Sequence, residues 1–109
     1  MALTGKQKSA LRSIGQRLEP IVHVGKEGVS QESIAATEGV FRRRELIKVR
    51  VLKNAPYTTD MIADQLAEAT HSDVAGKVGF TFLLYRPNPE LKDRIALPAA
   101  KEKDEQEQL

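Results

Sequence analysis

The four residues Gly25-Lys26-Glu27-Gly28 hold the clearest chemistry in this chain. They stand between an apolar run, Pro20-Ile21-Val22-His23-Val24, and a helix-like segment that starts near Ser30. Two glycines let a backbone turn tightly and approach a ligand closely, because neither carries a Cβ. The N–H groups of such a loop, and of the first turn of the helix after it, point toward one spot where the helix dipole favours an anion. With Lys26 at the tip, the loop is suited to holding a phosphate. Which phosphate depends on the rest of the chain.

Charge is spread unevenly around that loop. The 109 residues carry a formal net charge of +2, yet residues 1–53 hold 11 Lys/Arg against 5 Asp/Glu. Residues 54–87 hold 2 against 4, and residues 88–109 hold 4 against 6. A basic half that contains the loop points to a polyanionic partner, to be weighed against ordinary solvated surface. The length fits one domain able to bury a core without metal or disulfide staples. There is no cysteine, which excludes a disulfide framework and a thiolate metal site. No stretch reaches the length of a membrane span, and residues 1–8 lack the apolar segment of a secretory signal. The expectation is a soluble, cytoplasmic protein with no membrane partner.

Caps and apolar periodicity supply the elements that must position the loop. Thr4 caps a first helix over about residues 5–18, with Leu11, Ile14 and Leu18 as its buried stripe and Lys8, Arg12 and Gln16 as a row on another side. Gly15 weakens the middle of this helix by up to about 1 kcal/mol relative to alanine, so packing on a sheet must hold it. Pro20 closes the helix and admits a strand over about 21–24. Ser30 caps a second helix over about 31–43, with Ile34, Thr37 or Glu38, and Phe41 inward and Ala35 allowing close packing. Arg42, Arg43 and Arg44 end it, a placement that the helix dipole already favours.

Residues 46–52 form the clearest strand, since Ile47, Val49 and Val51 alternate with Lys48 and Arg50. Thr58 or Thr59 caps a third helix ending near Thr70, with Ile62, Leu66 and Ala69 inward and Asp60, Asp64 and Glu68 outward. Strands over about 73–78 and 81–86 are joined by a Gly79-Phe80 turn, and the second, apolar on both faces, belongs inside the sheet. Pro87 and Pro89 end the fold, leaving residues 88–109 as an extended, charged tail that is disordered from about Ala99. The order α-β-α-β-α-β-β predicts an α/β domain with some parallel pairing and a closing antiparallel hairpin.

Enzyme constellations are nearly absent. His23 and His71 are the only imidazoles, and neither has a second ligand at metal spacing. His71 reads as a charge partner at a helix end, and His23 as a core or surface histidine beside the loop. The acidic row on the third helix reads as a wet face rather than a general acid–base pair. A Walker loop needs four residues between its glycines and then Lys-Ser/Thr, whereas here Lys26-Glu27 alone separate them and Val29 follows. No catalytic set, metal site or cofactor is called for.

A Gly-x-x-Gly loop leading into a helix is instead the device KH domains use to clamp a nucleic-acid backbone. Lys26, the basic row on the first helix and the Lys48/Arg50 strand face strengthen that reading, because cations that neutralise phosphates release counterions. Aromatic platforms are scarce: near a strand there are Phe80, Phe82 and Tyr85, with Phe82 assigned to the core. That favours recognition of shape and backbone over base stacking.

Four segments together resemble the CRM (CRS1/YhbY) domain family, the chloroplast RNA splicing and ribosome maturation domain. They are Leu3-Thr4-Gly5-Lys6-Gln7, the Gly25–Gly28 loop, Arg44-Glu45-Leu46-Ile47-Lys48-Val49-Arg50-Val51, and Gly79-Phe80-Thr81-Phe82-Leu83-Leu84-Tyr85-Arg86-Pro87. The likeness spans about residues 3–98 in order and implies a four-stranded mixed sheet with three helices, similar to the C-terminal domain of translation initiation factor three. A single such domain looks like the stand-alone bacterial type, which is associated with large ribosomal subunit precursors. Phe80, where the family usually carries a small or basic residue, Lys77 within a strand and Glu27 in the loop depart from the pattern.

The expectation is therefore a non-catalytic RNA-binding assembly factor, with residues 1–98 as the domain and 99–109 as a tail. Gly25 and Gly28 shape the loop, Lys26 contacts phosphate beside Glu27, and Lys8, Arg12, Lys48 and Arg50 extend the basic surface. Arg42, Arg43 and Arg44 are further members. Ribosomal RNA is the expected partner, with ribosomal proteins as others. The alternative is a protein-interaction module that docks a basic ribosomal protein on the acidic third helix.

Overall fold

Three hydroxyl side chains start the three helices. Thr4 Oγ1 accepts from the Gln7 N–H at 3.1 Å while Gln7 Oε1 accepts from the Thr4 N–H at 3.0 Å, a reciprocal cap. Ser30 and Ser33 exchange the same pair of bonds at 3.2 and 2.8 Å, and Thr58 Oγ1 accepts from the Met61 N–H. In this computed structural model, which describes residues 3–99, the elements are α1 (Gly5–Gly15), β1 (Val22–Val24), α2 (Gln31–Phe41), β2 (Leu46–Val51), α3 (Thr59–Thr70), β3 (Asp73–Val78) and β4 (Thr81–Tyr85).

The four strands make one mixed sheet in the order β1-β2-β4-β3. β1 lies parallel to β2, with His23 level with Arg50, and β4 runs antiparallel to both β2 and β3. The doubly apolar strand is thus interior, and Gly79, at φ 59, opens the turn between β3 and β4. Strand alternation then sorts side chains to two faces. Val22, Val24, Ile47, Val49, Val51, Phe82 and Leu84 pack with Val40 and Phe41 of α2 and Ile62 and Leu66 of α3. On the opposite face Leu46, Ala75, Leu83 and Tyr85 pack with Leu11 of α1.

Several expectations need correction. α1 stops at Gly15, short of residue 18, and Ile14 is exposed rather than part of the stripe. The buried pair is Leu11 and Gly15: a Cβ on Gly15 would collide with the Leu83 side chain, so this glycine sets how closely α1 lies on β4. In α2, Thr37 rather than Glu38 is buried, and Ala35 is exposed. α2 itself ends at Phe41. In α3 the inward face is Ile62, Ala63, Leu66, Ala67 and Thr70, and Ala69 faces out. Arg86 lies just beyond β4.

Residues 88–98, expected to lie beyond the end of the fold at Pro87 and Pro89 yet inside the 1–98 domain, are packed onto it. Glu45, one residue before β2, is 1% exposed. Its carboxylate accepts from the Asn88 N–H at 2.6 Å, the Ile95 N–H at 2.7 Å and Arg94 Nε at 3.0 Å. Ile95 and Leu97 pack on the α1-side core, and Gln7 Nε2 donates to the Pro98 carbonyl. Burial pushes the Glu45 carboxyl up, but these donors outweigh it and hold its pKa below the usual carboxylate value. Arg86 ties down the same end. It meets Glu38 through both terminal guanidinium nitrogens, donates to the Thr70 carbonyl at 2.8 Å, and lies 4.5 Å over the Phe41 ring. The expected tail beyond residue 99 lies outside the described residues.

Candidate nucleic-acid interface

β1 ends directly in the glycine loop. The Gly28 N–H donates to the Gly25 carbonyl at 2.9 Å, closing a turn, and Gly28 adopts φ 65, where a side chain would be strained. Gly28 is buried against Pro56 and Tyr57, while Lys26 and Glu27 are exposed at the tip. The chain returns to α2 through Ser30. The capping pair already uses the Ser30 and Ser33 amides, which leaves those of Gln31 and Glu32 in the first turn. A hollow of about 390 Å³ beneath the loop is lined by His23, Lys26, Glu27 and Glu32 among others. Its charge is mixed, so the amides do not make the purely anion-attracting spot expected of a bare helix end.

The strongest positive surface is the sheet face beside the loop. α1 covers β3, β4 and the start of β2, where Leu46 packs on Leu11, but leaves the outer face of β1 and of the last residues of β2 open. Arg50 and His23, level with each other across the parallel pair, are exposed there, and Lys48 is half-buried one rung away. Arg12 of α1 reaches the same face. Its stem lies over Gly76, where a Cβ would come within 2.7 Å of Arg12 Cγ. Arg12, Gln16, Lys48 and Thr81 line a groove of about 470 Å³ between α1 and the sheet. Among the described residues, none of Arg12, Lys26, Lys48 and Arg50 pairs with a carboxylate.

The expected site is thus brought together in part. Gly25, Lys26, Glu27 and Gly28 follow His23, which lies level with Arg50; Lys48 stands two residues back along β2, and Arg12 continues the strip, with Lys8 half-buried one turn farther along α1. Arg42, Arg43 and Arg44 are exposed, but α2 carries them back along the sheet. Eleven residues of helix span roughly 16 Å, so they sit at the opposite end from the loop. Gln16, from the expected row on α1, lines the groove, and Thr81 enters it without having been singled out. Thr81 lies level with Arg50 on the strand beside it, a register that only the sheet pairing supplies. Lys77 turns to the other face and meets Asp60 at 2.5 Å, which takes one member of the acidic row. Asp64 and Glu68 remain exposed. Among the described residues no group of three or more His, Cys, Asp or Glu could hold a metal, and no helix is long and apolar enough to cross a membrane.

Three helices on the two faces of a four-stranded mixed sheet, with the loop end of one face left open and basic, define a small α/β domain. The model of the CRS1 / YhbY (CRM) domain matches residues 3–86, and the chain belongs to that family. It is 41% identical over 96 residues to the "Probable RNA-binding protein YqeI" of Bacillus subtilis, covering 88% of this chain and 99% of that one. It is 38% identical over 109 residues to the "Probable RNA-binding protein MJ0652" of Methanocaldococcus jannaschii, covering 98% and 81%. Its fold is similar to the solution structure of SAV1595 from Staphylococcus aureus, a hypothetical protein put forward as RNA binding. That match has a TM-score of 0.76 at 38% identity, over 89% of this chain and all of that one.

Proposed function

We propose that this is a non-catalytic RNA-binding protein, and an assembly factor that binds ribosomal RNA in precursors of the large subunit. One observation carries the binding: the exposed Lys26 loop opens onto a bare sheet face where Arg12, Lys48 and Arg50 have no acidic partners among the described residues. Cations held in this way neutralise successive phosphates and gain from counterion release. Because Glu27 and Glu32 border the hollow under the loop, the phosphates run along the outer side, from Lys26 toward Arg50. The names of the relatives support RNA as the polyanion, and the family resemblance supports its being ribosomal. On this reading the protein works in the cytoplasm and meets ribosomal proteins there. Docking of a basic protein on α3 is less favoured, since Lys77 already occupies Asp60.

The test is RNA affinity at two or more salt concentrations. Lys26→Ala should weaken binding by a similar factor for every sequence and lower the salt slope by roughly 0.7–1 unit. Unchanged affinity and slope would remove the loop from the mechanism. Crosslinking in cells, mapped on RNA, tests the ribosomal assignment; sites scattered over messenger RNA would contradict it.

A further inference from the structure

The chain holds five aromatic residues. Phe41, Phe82 and Tyr85 are buried in the two cores, but Tyr57 and Phe80 are 50% and 60% exposed. Both exposed rings lie at the end of the sheet that carries the glycine loop. The Val51 N–H donates to the Phe80 carbonyl at 2.7 Å and the Leu52 N–H to the Val24 carbonyl at 2.8 Å. The hairpin tip and the start of the loop therefore flank the end of β2, two strand spacings or roughly 10 Å apart. Tyr57 lies against the loop itself, since a Cβ on Gly28 would sit 3.8 Å from its Cδ2 and Cε2. Leu52, Met61 and Val78 are exposed at the same end.

Single exposed apolar residues are ordinary, but a group of them marks a binding surface. The charges around this group indicate its occupant. Lys26, Arg50 and Lys53 are exposed at this same end, Asp60 is answered by Lys77, and Glu27 is the acid left at the loop tip. Rings alternating with cations match a strand in which bases alternate with phosphates. In an A-form duplex the base faces are stacked on one another and closed to such rings. Resting on the RNA-binding reading above, we infer that Tyr57 and Phe80 are stacking platforms for unpaired bases, so that the site takes a single-stranded loop or end rather than a duplex. The scarcity of aromatics noted in the sequence is then offset by placement, because every ring not needed in the core stands at the interface.

The test uses the full chain with a labelled single-stranded oligoribonucleotide and with the same strand annealed to its complement. Wild type should prefer the single strand. Tyr57→Ala and Phe80→Ala should each weaken single-strand binding roughly 5- to 100-fold. Duplex affinity and salt slope should stay as they were, since no cation is removed, and Tyr57→Phe should restore binding. Thermal midpoints, expected to be unchanged for two exposed side chains, exclude misfolding. Alanine variants that bind the single strand like wild type overturn the inference. Equal loss on both RNAs, or a lost self-association with RNA binding intact, also overturns it. Wild type that binds neither RNA at low salt would instead sink the RNA-binding reading itself.

Discussion

At one end of the sheet charged side chains answer one another; at the other, Lys77 and Asp60 apart, the cations face solvent with no carboxylate opposite among the described residues. Around the start of β2, Glu45 takes two backbone amides and Arg94, and Arg86 takes Glu38 and a helix carbonyl. Around its finish, Lys26, Lys48 and Arg50 have no carboxylate within pairing distance among the described residues. The residue types are similar, so composition does not separate the two ends. Paired, partly buried charges hold strands and the 88–98 segment in place. Unpaired, exposed cations contribute little to stability and remain available to an anionic ligand. Arg42, Arg43 and Arg44 test this contrast, being exposed cations at the paired end.

Glu45→Ala strikes the paired end hardest, because it leaves three donors without an acceptor. It should cost about 3 kcal/mol in chemical denaturation. Part of that loss should appear as faster amide exchange and proteolysis in residues 88–98. An unchanged stability would mean that this segment is held by its apolar contacts alone. Arg86→Ala comes next, at about 2 kcal/mol, from the lost guanidinium pair, the Thr70 cap and the stacking on Phe41. Neither change should alter the salt slope of RNA binding; if one does, the division of labour between the ends fails.

A smaller effect is expected in acid. The Glu45 carboxyl is held below its ordinary value of 4.5, so the unfolded chain binds the proton more readily. The stability it adds is complete above that value, declines as pH falls through it, and is gone below the folded pKa. Melting from pH 6 to 3 should therefore fall less steeply in Glu45→Gln than in wild type. Parallel curves would contradict the placement of a charged Glu45 in the lock.

Much of this arrangement was legible in the sequence. The Ile47/Val49/Val51 alternation marked β2 and placed Lys48 and Arg50 on one face, and Thr4, Ser30 and Thr58 marked the helix starts. Such signals are local, with periods of two or of three to four residues. Glu45 was not legible, because a lone acid after three arginines looks like surface charge, and its partners lie some 43 to 50 residues away. Ile14 failed for a related reason. Its spacing from Leu11 fits a buried stripe, but the contact of Gly15 with Leu83 sets the rotation of α1, and no helical period shows that. The loop and its basic neighbours were recognisable by type, whereas their separation from Arg42–Arg44 required the direction of α2.

The most direct test is the slope of log affinity against log salt, on one single-stranded ribosomal RNA fragment, for two triple variants. Removing Lys26, Lys48 and Arg50 as alanines should flatten the slope by about 2 to 3 units. Removing Arg42, Arg43 and Arg44 should leave it close to wild type. Equal flattening by both sets, or none by the first, would contradict an interface confined to the loop end of the sheet.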